Sequence, residues 1–306
     1  MRLWMCLVLI PAMMLSRGIK SSAKEDIYIR ILFTNNSNGK LVDCNCRSDP
    51  YGGLAERVEL IRSYRGKYPD VLLLDSGGYF GLSNFERKGP VVLNLMEIME
   101  YEACGIGDQE LYHGLDRFLE LYEWYSDRIV NASLYTVEGE PVFTPYRIVT
   151  VNGMRIGITG LVSNETFKYF PKERQDFVVA EIDSILNKIL PIMKNSSDYI
   201  IVLSQMGVKT DEKVVEKWPD IDLIIGGHSQ TLLKKAINIS DTHIVQAGKN
   251  GGMVGEVILT FDKSKKIKKF SYNLLEVTKE YKIPKDIQLL PELQAFLDKS
   301  SQSSND

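Results

Sequence analysis

The chain has 306 residues, of which 44% are hydrophobic and 25% are charged, as is typical of a globular protein with a sizeable core. This length accommodates one large domain or two small ones. The formal net charge of −3 excludes a general nucleic-acid-binding protein, which would carry a strong excess of Lys and Arg. The one lysine-rich stretch, 263–269, is interpreted as a solvated hairpin turn.

The N-terminus has the pattern of a secretory signal peptide. Arg2 precedes an apolar run over residues 3–15, and the small residues Ser-Ser-Ala at 21–23 offer a cleavage site. The run is too short to span a bilayer as a helix. We therefore predict that residues 1–23 are removed and that the mature protein is secreted or periplasmic, without a stable membrane span. Anchoring by an uncleaved signal is the alternative.

The predicted elements begin with a strand over 27–33, in which apolar residues alternate, and a helix over 51–65. The continuous apolar run over 71–74 is typical of a fully buried strand. Four further elements are predicted before the middle of the chain: a helix over 91–100, a strand over 102–107, a helix over 115–125 and a strand near 128–131.

The second half of the chain begins with the clearest local signal. Asn152-Gly153 separates two apolar alternations, 146–151 and 154–161, which predicts a two-residue β-hairpin. A helix over 177–193 is expected next, with Pro191 marking its end region. The last predicted elements are buried strands over 199–203 and 223–225, an antiparallel meander over 243–246, 255–262 and 268–277, and a helix over 291–297.

Alternating strands and helices followed by antiparallel strands predict an α/β (α+β) fold with two packed mixed sheets and helices outside. We expect one domain over 24–280, followed by a C-terminal helix and a frayed tail over 281–306.

Six short motifs are ordered along these elements. They read Leu-Phe-Thr-Asn-Asn-Ser-Asn-Gly (32–39), Gly-Gly-Leu-Ala-Glu-Arg (52–57), Leu-Leu-Leu-Asp-Ser-Gly-Gly (72–78), Gly-Asp-Gln-Glu (107–110), Ile-Val-Leu-Ser-Gln-Met-Gly (201–207) and Asp-Leu-Ile-Ile-Gly-Gly-His-Ser-Gln (222–230). In order and spacing they resemble the motifs of the calcineurin-like metallophosphatases, and in particular the N-terminal catalytic domain of the periplasmic 5′-nucleotidases. The resemblance implies a four-layer α-β-β-α sandwich over 27–277. We do not expect the C-terminal nucleotidase domain that larger members carry.

The resemblance also implies a dinuclear metal centre, but one half of it has lost its ligands. Family members use two divalent metals about 3.5–4 Å apart to activate a hydroxide and to hold phosphate oxygens. Asn36 and Asn38 stand where the family has an aspartate and a histidine, and Gly78 stands where it has the aspartate that bridges both metals. Gln230 replaces a histidine in the last motif. No metal is expected in this half.

The other half of the implied centre is less changed. Asp108 stands at an asparagine ligand, Gln109 at a histidine that steadies the leaving group, and Gln205 at a histidine ligand, whereas His228 keeps the family residue. Asp108, Gln205 and His228 leave one weak mononuclear zinc or manganese site as an alternative to no metal at all. His228 is otherwise interpreted as a structural residue that hydrogen-bonds backbone.

The replacements favour a polar rim, since most are amides of similar shape. Such a rim can hydrogen-bond a small anionic or nucleotide-like ligand without metal.

The cysteines leave three alternatives open. Cys44 and Cys46 form a Cys-x-Cys pair before Gly-Gly-Leu, and Cys104 ends the strand that leads to Asp108. They are consistent with one structural disulfide and a buried thiol, with a Cys₃His zinc site that includes His228, or with a redox pair that serves a redox partner.

The sequence therefore predicts an exported protein of the 5′-nucleotidase type whose dinuclear centre is largely lost. Such a pseudoenzyme would act as a binding or redox-linked protein. The alternative is a divergent hydrolase of a phosphate or sulfur ester, a role in nucleotide catabolism included, with a mononuclear or atypical metal site at Asp108, Gln205 and His228.

Overall fold

The computed structural model describes residues 26–43, 51–82, 85–278 and 280–295. The predicted signal peptide, together with Cys44 and Cys46, lies outside the described residues. Within the described ranges, no helix combines the length and the apolar character needed to cross a membrane.

The first sheet has five strands and is mixed. Its spatial order is β13(Ile267–Glu276), β12(Met253–Phe261), β1(Ile27–Thr34), β2(Leu72–Asp75) and β3(Ala103–Cys104). Strands β1, β2 and β3 are parallel, whereas β12 runs antiparallel to both β1 and β13. The carboxyl ends of β1, β2 and β3 therefore meet at one edge.

The second sheet has six strands and is also mixed. Its order is β10(Ile237–Ile239), β11(Thr242–Val245), β9(Leu223–Ile225), β8(Tyr199–Ser204), β6(Met154–Leu161) and β5(Tyr146–Val151). The four central strands are parallel, and the edge strands β5 and β10 are antiparallel to their neighbours. A separate short pair joins β4(Leu134–Tyr135) to β7(Val178–Val179).

Helices cover the outer face of each sheet. Helices α1(Leu54–Lys67), α2(Phe85–Ile98) and α3(Leu115–Tyr122) pack on the first sheet, and α4(Ile182–Ser196) and α5(Val208–Lys217) pack on the second. A third apolar cluster, which includes Ile31, Ile158 and Leu203, lies between the two sheets. These layers form the predicted α-β-β-α sandwich. The short α6(Lys285–Gln288) adds Ile287 to the outer cluster of the first sheet.

The strongest local predictions are confirmed, and the weaker ones needed correction. The hairpin at Asn152-Gly153 joins β5 and β6 with the predicted limits. The helix predicted over 177–193 is wrong at its start, because 178–179 pairs with β4, and Pro191 lies inside α4 on an exposed turn. The meander is wrong in part, because β11 pairs with β9 in the second sheet. The segment 128–131 makes only isolated bridges.

Candidate functional site

The polar positions singled out from the motifs converge at the edge where the parallel strands of both sheets end. Loops at this edge are the usual location of sites in parallel sheets. The structure places there Asn36 and Asn38 after β1, Gly78 after β2, Asp108 and Gln109 after β3, Gln205 after β8, and His228 and Gln230 after β9.

The backbone of these loops is held in a conformation that side chains rarely adopt. Asn36, Asn38, His228 and Gln230 have φ angles of 46°, 52°, 61° and 54°, and Gly78 has a φ of 72°. A left-handed conformation costs about 1–2 kcal/mol for a residue other than glycine. Four such residues and one glycine at a single edge indicate a site whose loop geometry the surrounding fold imposes.

Four side-chain amides form a connected network, here called the amide cluster: Asn38, Gln109, Gln230 and Asn250. The Asn38 Nδ2 donates to Asn250 Oδ1 at 2.9 Å and to Gln230 Oε1 at 3.4 Å, while its Oδ1 accepts from Gln109 Nε2 at 3.0 Å. The network joins loops from both sheets. Gln109 Oε1 is buried and has no partner among the described residues.

The Asn36 side chain fills the space beside Gly78. A Cβ atom added to Gly78 would lie 2.5 Å from Asn36 Nδ2, closer than such atoms can approach. Asn36 is buried, and its Oδ1 accepts a hydrogen bond from Asn35 Nδ2 at 3.1 Å. A side chain at position 78 would therefore displace an amide that already has a partner.

Glu110 holds the loops of this edge from below. The fully buried carboxylate accepts hydrogen bonds from the backbone N–H groups of Gly78 at 3.1 Å, Phe80 at 3.0 Å and Gly107 at 3.0 Å. Burial raises its pKa to about 7, although the three donors oppose this shift. The Glu110 carboxylate, which lies under Gly78, is therefore already hydrogen-bonded to three backbone N–H groups.

His228 and Asp108 form a pair on the side of the second sheet. His228 Nδ1 lies 3.5 Å from Asp108 Oδ1, and each side chain is 33% exposed. The hydrogen bond to Asp108 raises the pKa of the imidazole above its ordinary value, while desolvation acts in the opposite direction. The sequence analysis interpreted His228 as a structural residue that hydrogen-bonds backbone. In the structure, its partner is the carboxylate of Asp108.

Gln205 lies under this pair without a hydrogen-bond partner. The side chain is fully buried, and neither Nε2 nor Oε1 finds a partner among the described residues. Cβ atoms added to Gly107 and Gly227 would lie 3.1 Å from Gln205 Oε1 and 2.1 Å from Nε2. These glycines precede Asp108 and His228, so the amide lies at the base of the Asp108–His228 pair. Buried amide atoms are hydrogen-bonded in the large majority of cases, which makes the Gln205 amide a candidate contact for a ligand.

Asp211 is a buried carboxyl that the sequence did not single out. It lies in the first turn of α5, where Ser204 Oγ donates to its Oδ1 at 2.5 Å and its Oδ2 has no partner among the described residues. Burial raises its pKa to about 7. The negative charge of Asp211 adds to the effect of Asp108 on the pKa of His228.

Cys104 faces the core of the first sheet. The thiol is fully buried and lies 3.3 Å from the Tyr125 hydroxyl. Burial raises its pKa well above the ordinary value, which disfavours the thiolate that metal binding and disulfide exchange require. The zinc, disulfide and redox alternatives also depend on Cys44 and Cys46, which lie outside the described residues, so these alternatives stay predictions.

Known proteins with similar sequences are 5′-nucleotidases. A 5′-nucleotidase of Diplobatis ommata is 28% identical over 271 residues, which cover 80% of this chain and 46% of the relative. The snake venom 5′-nucleotidase of Crotalus adamanteus is 30% identical over 222 residues, which cover 68% of this chain and 36% of that protein. The chain spans less than half the length of either relative. No family model matches the chain.

The fold has a close counterpart among solved structures. The calcineurin-like phosphoesterase YfkN from Bacillus subtilis aligns with a TM-score of 0.76 at 23% identity, over 92% of this chain and 100% of that one. The chain therefore has the fold of the calcineurin-like phosphoesterases. Its sequence relatives are of the 5′-nucleotidase type, so the resemblance carried by the six motifs is confirmed.

The residues present do not supply the donors that the two metals of a metallophosphatase need. Gly78 has no side chain to bridge two ions, and the Asn36 amide fills the adjacent space. Asn38 and Gln230 are neutral amides that already bond each other. Across the described ranges, no group of three or more His, Cys, Asp or Glu side chains is arranged to hold a metal ion. Among the described residues of the rim, the Asp108–His228 pair retains two good ligand types, a carboxylate and an imidazole.

Sequence reasoning missed Asn250 and Asp211 and left the role of Glu110 open. Asn250 belongs to an Asn-Gly-Gly loop and has a φ of 58°, so the Asn-Gly pair was a usable signal for a tight turn. Nothing in the amphipathic pattern of α5 distinguishes Asp211 from a solvated helix residue. Glu110 ends the Gly-Asp-Gln-Glu motif, but the motif alone gives no indication of its backbone partners.

Proposed function

We propose that this protein is an exported member of the superfamily that has lost the dinuclear centre. In this proposal its amide-lined rim binds a small anionic or nucleotide-like ligand without metal and without hydrolysing it. The proposal combines the family relationship with the chemistry of the donors that remain.

The observation that carries the proposal is the position of the Asn36 amide. Its Nδ2 lies 2.5 Å from the Cβ atom that any side chain at position 78 would have, which is closer than two such atoms approach. The motif resemblance implies that, in this superfamily, the residue at this position is an aspartate whose carboxylate binds both metals. A neutral amide in its place offers hydrogen bonds and no negative charge to offset two divalent cations.

The rim is suited to hydrogen bonding. Amide groups carry both donors and acceptors, so the amide cluster can pair with phosphate, carboxylate or hydroxyl oxygens. Gln109 Oε1 and both polar atoms of Gln205 lack partners in the described chain. A ligand would supply them through donor groups to the two Oε1 atoms and through an acceptor to Gln205 Nε2. His228 adds a cationic donor at pH values below its raised pKa.

Calorimetric titration with AMP in the presence of EDTA tests the binding part of the proposal. We expect AMP to bind wild-type protein and to bind Asn38→Ala on the order of tenfold more weakly, because the substitution breaks the hydrogen bonds that hold Gln109, Gln230 and Asn250 in place at the rim, a loss of about 1 kcal/mol or more. Asn187→Ala removes an exposed amide on α4 and is the matched control, with no change expected.

Phosphate release from AMP with added manganese, cobalt or zinc tests the catalytic part. The proposal expects no turnover above background with any of the three metals. Turnover that disappears in both Asp108→Ala and His228→Ala would contradict it, because those residues would then be ligands of a working centre.

A second candidate function rests on the Asp108–His228 pair. The 3.5 Å approach of a carboxylate to an imidazole, with the unpaired Gln205 amide beneath it, provides three donors on one side of a single divalent ion. A hydrolase with a mononuclear site would use them. Protein that remains metal-free after equilibration with zinc and manganese would exclude this candidate.

A further inference from the structure

The rim continues past His228 into a second cavity, which the motif positions do not include. This cavity has a volume of about 540 Å³ and is bordered by His228 on one side. Further walls come from the loop after β6, the loop after β8 and the first turn of α5: Lys168, Tyr169, Met206, Lys209 and Thr210. Its volume lies in the range of small-molecule sites, about 300–1,000 Å³.

We propose that this cavity, here called the tyrosine subsite, binds the aromatic ring of an anionic ligand, such as the base of a nucleoside monophosphate. The ring stacks on Tyr169, and the anionic group is held by Lys209 and the first turn of α5. This inference rests on the proposed function for the nature of the ligand, and it locates ring recognition within this domain.

Tyr169 is exposed to solvent on a loop that buried neighbouring residues hold against the core. Its side chain is 92% exposed, although its neighbours Phe167 and Phe170 are buried and pack on Phe177 at ring-centroid distances of 4.9 and 5.6 Å. The two buried phenylalanines fix the loop on both sides of Tyr169. The backbone that carries Tyr169 is therefore held in place before any ligand arrives, which lowers the entropic cost of ordering the loop on binding.

The charge of the subsite favours an anion. Lys209 is exposed and has no acidic partner within the described residues, whereas Lys168 lies 3.3 Å from Glu165. Lys209 also lies in the first turn of a ten-residue helix, whose amino end carries partial positive charge. Glu165 is the one acidic residue of the lining, against two lysines and His228. A cationic ligand would be repelled.

These features together favour a ligand with both a flat ring and a negative group. A purely inorganic anion would leave Tyr169 without a contact, and a neutral ring would leave Lys209 without one. His228 borders the tyrosine subsite and also pairs with Asp108 at the rim. One ligand can therefore contact both the tyrosine subsite and the rim.

Calorimetric titration in EDTA with AMP, ribose 5-phosphate and inorganic phosphate tests the inference. We expect Tyr169→Ala to weaken AMP binding on the order of tenfold, as loss of one stacked base does elsewhere, and to leave ribose 5-phosphate unchanged. Tyr169→Phe keeps the ring and should keep the affinity. Lys209→Gln should weaken both sugar-phosphate ligands several-fold.

Two substitutions elsewhere on the surface serve as controls. Tyr28→Ala removes an exposed aromatic ring at the start of β1, and Lys263→Gln removes a lysine from the β12–β13 turn. Neither should alter AMP binding. Equal AMP affinities for wild type and Tyr169→Ala would overturn the inference, and so would a failure of wild-type protein to bind AMP. Loss of binding in Asn38→Ala but not in Tyr169→Ala would leave the proposed function standing and overturn the subsite alone.

Discussion

The two halves of the rim differ in how completely their polar groups are satisfied. On the side of the first sheet, the Asn38 amide has three side-chain partners, and the Asn36 amide fills the space beside Gly78. On the side of the second sheet, Gln205 and one oxygen of Asp211 are buried without partners. Among the described residues, the first half keeps one unpaired atom, Gln109 Oε1, whereas the second half keeps three and borders a cavity.

This difference indicates where a ligand can be accommodated. Displacing a satisfied amide requires breaking existing hydrogen bonds, which costs about 1 kcal/mol or more for each bond. Satisfying an orphaned buried group gains free energy because that group already carries its desolvation penalty. A ligand therefore gains more hydrogen-bonding free energy in the second half of the rim than in the first half, which serves as a rigid border.

The largest effect is expected from Glu110→Ala. The substitution leaves three buried backbone N–H groups without an acceptor and should lower the free energy of unfolding by about 3 kcal/mol or more, at roughly 1–3 kcal/mol per group. Urea denaturation measures this change. Glu97→Ala removes an exposed carboxyl from α2 and is the control. A loss below 1 kcal/mol would mean that Glu110 does not hold the loops after β2 and β3 in place.

A pH-dependent loss of stability should come from Asp211 in the second half. Its pKa is about 7 in the folded chain against an ordinary value of 3.8, so the folded chain retains a proton that the unfolded chain has released. Its stabilising contribution is complete below about pH 4 and is lost as the pH rises to about 7. The full loss is on the order of 2–4 kcal/mol.

Asp211→Asn tests this contribution, because the variant cannot titrate. We expect the decrease in stability between pH 5 and pH 8 to be smaller in Asp211→Asn than in wild type, as judged by urea midpoints. Glu216→Gln changes an exposed carboxyl on the same helix and should behave as wild type. Equal pH dependence in all three proteins would show that Asp211 is ionised in the folded state.

Gly78→Ala tests whether the first half is closed. The added methyl group meets Asn36 Nδ2 at 2.5 Å, and its φ of 72° disfavours alanine. Gly153→Ala is a matched control with a φ of 79° and open space around the added atom. Backbone strain should lower the free energy of unfolding of both variants by about 1–2 kcal/mol. The loss should be larger in Gly78→Ala, because the added methyl group also meets Asn36 there.

Asn36→Ala should relieve this extra loss when combined with Gly78→Ala. A double-mutant cycle measures the coupling between the two positions. Additive losses would contradict the contact between Asn36 and the space at position 78.

The smallest effect is expected at the Asp108–His228 pair. Asp108→Asn removes the main cause of the raised imidazole pKa, so the pKa of His228 should fall, as measured by NMR titration. His113 packs on Phe85, and Asp108 does not contribute to the shift of its pKa, so it serves as an internal reference. An unchanged His228 pKa would place Asp211 as the dominant partner.

Sequence reasoning predicted the sandwich because its signals are local and periodic. Alternation over 27–33 and the Asn152-Gly153 turn each depend on a few neighbouring residues, and both appear in the structure. The segment over 243–246 was harder to place. Its apolar pattern does not reveal whether it pairs with β9 or with β12, since that choice depends on packing across the whole domain.

The candidate site was predictable by position but not by interaction. The motifs identified Asn36, Gly78 and His228 as rim residues, because the ends of parallel strands converge. They did not indicate that the Asn36 amide would fill the space at Gly78, which depends on a left-handed φ at both residues. Tyr169 belongs to no motif, and only the burial of Phe167 and Phe170 reveals its exposure.

Metal content per chain is the most direct test of the central claim. The protein is equilibrated with manganese and zinc, desalted and weighed by native mass spectrometry, with the same treatment in EDTA as the blank. The account predicts no ion in the first half of the rim, and so at most one per chain, lost in Asp108→Ala and His228→Ala. Two ions per chain would contradict it, because the space beside Gly78 would then hold a metal rather than the Asn36 amide.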